Sequence, residues 1–294
     1  MQTGILLAFL AYFVFACGDA ALKALGPSLP VYEIGFFVSL FAFLPALFTK
    51  RPEDSWADTF RIANPGLMAL RMAFGAGGTI AGIIAFTSLP LAEAYALIFL
   101  LPIFVTVFSR IFLKEDIGWK RWSAVVVGLL GTLLVVRPGF QAILPGHFAA
   151  IACAACGAGT VLVLRRIGAS ERRITIIGAV LVASAALNGV LMLGDFRMPG
   201  PETWWLLVFA GLCSGLGHTG LVFATRLASA ASVAPTQYSQ IVWATVLGAA
   251  FFAEYPDAIA LCGMTLVGFS GLFTFVRERK KTPWPKRTPL VRNR

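Results

Sequence analysis

Ten apolar runs, each near the length that crosses a bilayer, follow one another with only short polar breaks. They fall at about 4 to 25, 31 to 49, 64 to 87, 90 to 113, 121 to 136, 147 to 164, 174 to 193, 204 to 225, 229 to 252 and 257 to 275. A spanning helix needs roughly 20 consecutive apolar residues. In lipid the backbone finds no water, so such runs must satisfy their own hydrogen bonds as helices. Composition agrees: 58% of the 294 residues are hydrophobic and 13% are charged, about half the charge of a soluble domain. The breaks are too short to hide a soluble domain. The reading is an all-α integral membrane protein of ten transmembrane helices.

The net charge of +10 does not point to nucleic acid, because eight of the 24 Lys and Arg follow Val276 and the rest punctuate the apolar runs. That tail also carries Pro283, Pro285 and Pro289, a composition suited to contact with anionic membrane lipid. The five cysteines, at 17, 153, 156, 213 and 262, all lie inside apolar runs and form no disulfide framework. Cys153 and Cys156 are read as packing thiols. The first run resembles a signal-peptide core but has no basic stretch before it, and is read as an uncleaved span.

Lys and Arg in the breaks set the orientation. One side collects 19 of them and the other three, Lys23, Arg137 and Arg197, while Arg71 and Arg110 fall within runs. Both termini are therefore expected in the cytoplasm. Six of the seven Trp lie in breaks, at run ends or in the tail, as interfacial belts require. Trp243 stands near the middle of the ninth run.

Runs four and five align with runs nine and ten. Glu115 matches Glu254, Gly128 and Gly131 match Gly268 and Gly271, and Arg137 matches Arg277, with one residue of shift. A repeat of five spans places its second copy upside down. The loop after run four, KEDIGWKR, is basic, whereas its counterpart AEYPDAIA has no basic residue. Inverted repeats of this kind typify secondary transporters. The expected division is 1–139, the first five-helix repeat; 140–276, the second, inverted repeat; and 277–294, a basic cytoplasmic tail.

Polar residues within spans should face the bundle or a cavity. In run nine, Ser229, Ser232, Thr236, Ser239, Gln240 and Trp243 share one helical stripe, with Tyr238 opposite. Run four aligns Tyr95, Phe99, Pro102, Thr106 and Ser109, and Pro102 should kink it. Run three aligns Arg71 with Gly75, Gly78 and Gly82, leaving room for a close helix or an anionic group. Run eight aligns Gly211, Ser214, Gly215, His218 and Thr225. The residues expected to bind substrate are Arg71, Tyr95, Phe99, Thr106, Ser214, His218, Thr236, Ser239, Gln240 and Trp243. Asp19 and Lys23, four apart on run one, read as a structural ion pair.

The whole chain resembles the drug/metabolite transporter superfamily in its EamA-type two-repeat form. The resemblance rests on the ten spans, LRMAFG from Leu70, LPIF…LKED from Leu101, and FFAEY with Glu254. It implies a bacterial inner-membrane protein with a central cavity lined by spans one to four and six to nine, five and ten lying outside. The aromatic cavity residues are similar to those of an amino-acid exporter of the YddG kind. Second spans of the family often carry an Arg where this chain has FFVSL from Phe36, so that residue's role does not carry over.

An enzyme is disfavoured. Ser214 and His218 sit on one helix without a carboxylate to orient the His. No Cys/His cluster suits zinc, no phosphate loop with Lys occurs, and no ring of like charge suggests a channel. The expectation is a cofactor-free exporter whose partners are a small-molecule substrate and membrane lipid, with oligomeric state open and a monomer sufficient. His218 is the best-placed titratable group, and Glu93 lies off the stripe. The sequence therefore favours facilitated diffusion or exchange over proton coupling.

Overall fold

The computed structural model describes residues 2–50, 55, 61–114, 118–137, 142–167, 170–228 and 230–281. Glu115, Ser229, Trp56, Trp284 and the tail after 281 lie outside the described residues. All regular structure among the described residues is helical. The elements are α1 (Gln2–Leu25), α2 (Val31–Ala46), α3 (Pro65–Ser88), α4 (Leu91–Ile98), α5 (Leu101–Phe112), α6 (Trp119–Val136), α7 (Pro145–Ile167), α8 (Arg173–Met192), α9 (Pro201–Leu227), α10 (Ala230–Val233), α11 (Ser239–Phe252) and α12 (Ala258–Lys281). Among the described residues, seven helical stretches are long and apolar enough to cross a membrane, and two shorter apolar ones lie within α6 and α12.

Run four is broken between α4 and α5 at Phe99–Leu100, just before Pro102. Proline has no N–H and its ring crowds the carbonyl four residues back, so the helix cannot continue undisturbed. Run nine departs from the single helix its stripe suggested. Residues Ala234–Tyr238 form a tighter 3₁₀ turn that begins around Pro235, by the same physics. The turn rotates Thr236 relative to Ser239 and Trp243, so the stripe is not continuous.

Small residues bring the helices together, as packing in lipid favours. On α3, a Cβ at Gly78 would stand 3.3 Å from Cys156 Cβ, and one at Gly82 3.5 Å from Cys153 Sγ on α7. The glycine face beside Arg71 thus accommodates a close helix, and the two thiols are packing groups. Gly18 on α1 meets Cys213 on α9 at 3.0 Å in the same sense. Gly131 and Gly263 each face the other's carbonyl, which lets α6 and α12 cross closely.

The packing partners run α1 on α9, α3 on α7, α2 on α8 and α6 on α12. Two glutamates tie loops across the bundle. Glu171, before α8, accepts the N–H groups of Ala63 and Asn64 at 2.9 and 2.8 Å, ahead of α3. Glu33, in α2, accepts the Arg197 N–H at 3.0 Å, ahead of α9. Lys114 and Ala253, which follow α5 and α11, both adopt left-handed backbone, with φ 52° and 54°.

Candidate functional site

A hydrogen-bonded chain joins three helices across the bundle. The Tyr95 hydroxyl on α4 donates to Asp19 Oδ2 on α1 and accepts from Gln240 Nε2 on α11 at 3.1 Å. The break after α4 turns Tyr95 inward, where Phe86 and Phe99 flank its ring at 5.2 and 5.8 Å. Phe99 in turn meets Tyr238 at 5.4 Å. Phe99 and Thr106 are buried, and the Thr106 hydroxyl donates to its own helix at Pro102 O, 2.9 Å away. Asp19 is not paired with Lys23, the partner its spacing suggested.

Nearer the N-terminal end of α1 lies an aromatic group. Trp243 meets Phe13 edge-on at 4.9 Å, and Phe15 meets His218 edge-on at 4.9 Å. Trp243 Nε1 and Ser239 Oγ are buried without a hydrogen-bond partner. Buried polar atoms are normally satisfied, so such orphans demand an explanation. His218 is exposed at mid-helix, its Nδ1 2.9 Å from Ser214 O, and it interacts electrostatically with Arg71 of α3. Its ring lies between α9 and Phe15 of α1. Arg71 Nη1 makes a long contact of 3.5 Å with Thr160 Oγ1, while its Nε has no partner. Thr236 is buried, its hydroxyl donating to Val233 O at 2.6 Å.

Of the sequence-derived residues, Tyr95 and Gln240 form the crossing chain, Trp243 meets Phe13 and His218 meets Phe15 on α1, Arg71 reaches Thr160 on α7, Ser214 O lies beside the His218 ring, and Ser239 Oγ is buried without a partner. Phe99, Thr106 and Thr236 are buried. Phe13 and Phe15 were missed because they sit in an apolar run where one ring looks like another. Their signal was the helical spacing of Phe15 to Asp19.

The opposite end is closed by charge. Lys23 Nζ lies 2.7 Å from Glu254 Oε1 and donates to Leu89 O at 2.6 Å. Glu254 Oε2 accepts the Leu91 N–H at 2.9 Å, capping the start of α4. His147 Nδ1 accepts the Leu144 N–H at 2.9 Å, so its Nε2 donates to Glu93 Oε1, also 2.9 Å away. Arg137 pairs with Asp257, and the bond from Arg137, with the Ala260 N–H, holds the Asp257 carboxyl below its usual range. A pocket of about 270 Å³ opens here, bordered by Glu93, Arg137, Thr245, Glu254 and Tyr255.

An all-helical bundle of long apolar helices with polar side chains between them is an architecture that membrane carriers use. The chain belongs to the EamA-like transporter family, whose model matches residues 2–137 and again 144–276. It is 31% identical over 269 residues to the pseudopaline exporter of Pseudomonas aeruginosa, covering 91% of this chain and 94% of that one. It is 28% identical over 263 residues to a riboflavin transporter of Rhizobium johnstonii, at 87% and 84% coverage. An S-adenosylmethionine uptake transporter of Rickettsia felis is 24% identical over 281 residues, at 95% and 94%. A solved crystal structure superposes with a TM-score of 0.66 at 17% identity, covering 96% of this chain and all of that one, which shows the shared fold. The protein is a small-metabolite transporter of the membrane.

Proposed function

We propose that this transporter exports small amphipathic metabolites, neutral or aromatic amino acids foremost, by alternating access of two inverted five-span halves. The carrying observation is a pair of aromatic contacts along the middle of α1, Phe13 with Trp243 and Phe15 with His218, beside the unpartnered Ser239 Oγ and Trp243 Nε1. Rings supply apolar area and a few polar atoms fix orientation. Arg71 and His218 would meet the carboxylate end of such a solute.

The inverted arrangement is supported by reciprocal packing: α1 on α9 mirrors α7 on α3, and Glu33 with Arg197 mirrors Glu171 with Ala63 and Asn64. Lys114 and Ala253 also correspond under the sequence alignment. With the Lys/Arg-rich ends in the cytoplasm, both termini lie there and the Lys23–Glu254 end faces outward. The division at 139 and 276 follows.

The test is tolerance of toxic amino-acid analogues by expressing cells, together with counterflow of labelled phenylalanine in proteoliposomes. Increased tolerance and exchange are expected. Unchanged tolerance at normal protein levels, with no exchange, sinks the reading. The relatives named for pseudopaline, riboflavin and S-adenosylmethionine favour a second reading, a larger amphipathic metabolite. In that case riboflavin or S-adenosylmethionine, not phenylalanine, drives counterflow.

A further inference from the structure

We propose that Asp19 is a proton-binding site that couples this transporter to the proton gradient, with Tyr95 and Gln240 carrying its protonation state to the substrate face of α11. The inference rests on the reading above for the direction of transport and for the substrate face of α11. Asp19 lies six residues before the end of α1, about 9 Å inside the helix by its rise per residue. A carboxylate at that depth is costly, and in membrane transporters such groups mark ion and proton paths. The sequence suggested that Lys23 neutralises it. The structure gives Lys23 to Glu254 and Leu89 O instead.

Among the described residues no cation pairs with Asp19. Tyr95 on α4 is the titratable side chain bonded to it, and Cys17 on its own helix, Cys153 on α7 and Cys213 on α9 lie near enough to feel its charge. The other charged or titratable groups on helices packed against α1 are placed elsewhere. Arg71 of α3 lies toward the opposite end beside Thr160, and His218 of α9 faces Phe15. Glu93 of α4 pairs with His147. Tyr238 of the 3₁₀ turn meets Phe99 and Gly271, and α11 presents the neutral Gln240. Asp19 is only partly buried, whereas Tyr95 is buried. In the proposal the protonation state of the carboxyl passes inward through the phenol.

The bond directions explain the coupling. An ionised Asp19 only accepts, so Tyr95 must donate to it and is left to accept from the Gln240 amide. A protonated Asp19 can donate to the Tyr95 oxygen. The tyrosine proton is then free to turn to Gln240, which must present its carbonyl instead of its NH₂. Gln240 is adjacent in sequence to Ser239 and three residues before Trp243, so this reversal changes the hydrogen bonding that holds α11 beside the proposed substrate face. The chain joins α1 and α4 to α11, that is, one half of the molecule to the other. In one cycle the Asp19 carboxylate takes a proton from the outer side and becomes a carboxylic acid. It then releases that proton to the cytoplasm and regenerates the carboxylate, as one solute leaves.

The purified full chain in proteoliposomes provides the test. Infrared difference spectra between mildly acidic and mildly alkaline buffer need no substrate. A titrating carboxylic-acid carbonyl band is expected in wild type and its loss in Asp19→Asn; an unchanged band in the variant overturns the proposal. With the membrane potential clamped, one proton per cycle lets a one-unit pH gradient drive about tenfold accumulation of labelled phenylalanine. Asp19→Asn should lose that accumulation while still exchanging labelled for unlabelled phenylalanine, Asp19→Glu should keep it, and Tyr95→Phe should shift its pH profile. A wild type indifferent to the gradient, or Asp19→Asn that still follows it, overturns the coupling. If no variant moves phenylalanine, the substrate reading fails and the infrared band alone decides Asp19.

Discussion

Trp243 is the tryptophan that interfacial placement does not explain. Its edge contact with Phe13 and its unpartnered Nε1 give it a second role. An aromatic contact is worth roughly 0.5–1.5 kcal/mol beyond burial, so Trp243→Ala should weaken solute affinity several-fold. Phe should restore much of the loss and Leu less, measured as transport normalised to protein in the membrane. Full transport by the Ala variant would assign the face wrongly. Asp257 offers a test of sign. Its folded carboxyl lies below the ordinary value because of Arg137, so its stabilisation is present above pH of about 3.9 and is lost as pH falls through the folded value. Asp257→Asn keeps an acceptor for the Ala260 N–H and removes the charge. The unfolding midpoints of wild type and variant should differ slightly at neutral pH and converge in acid or high salt. A gap that persists in acid would remove the charge from the account.

Helix ends matter at the next scale. Ala253 ends α11 in left-handed backbone with φ 54°, the conformation that glycine favours just past a helix, and Glu254 N–H returns to Gly248 O at 3.0 Å. A side chain in this conformation costs roughly 1–2 kcal/mol, while glycine gives back roughly 0.5–1 kcal/mol in unfolded-chain entropy. Ala253→Gly should therefore stabilise by about 0.5–1 kcal/mol, read as a higher unfolding midpoint in detergent micelles. A lowered midpoint would show that the methyl group packs usefully. Breaks at Pro102 and Pro235 have a different value, since short 3₁₀ or broken segments within long helices often serve as hinges.

For the molecule as a whole, Glu254 is a tie between its parts. One carboxylate holds Lys23 of α1 and the first N–H of α4 from the loop after α11. Glu254→Ala strands the Leu91 N–H and leaves Lys23 with Leu89 O alone in a part-buried setting, and should cost about 1–3 kcal/mol of stability. Glu254→Gln, which keeps an acceptor, should cost less. Thermal unfolding of the two purified variants checks the order; equal losses would mean that neither bond matters.

How much of this was legible differs by level. The apolar runs determined the helices and the membrane, because length and hydrophobicity are local properties and lipid permits little else. Pro102 announced its break, whereas Pro235 was overlooked beneath an attractive polar stripe. The matched Gly, Glu and Arg positions suggested a repeat, and the chain matches its family twice. Side-chain partners were not legible. Asp19 and Lys23 sit four apart and read as a pair, yet Lys23 is drawn to Glu254, 231 positions away, and Asp19 is left to Tyr95. Spacing along one helix reports which groups share a face; only the tertiary structure decides which neighbour that face meets, because the stronger partner arrives from a distant part of the chain.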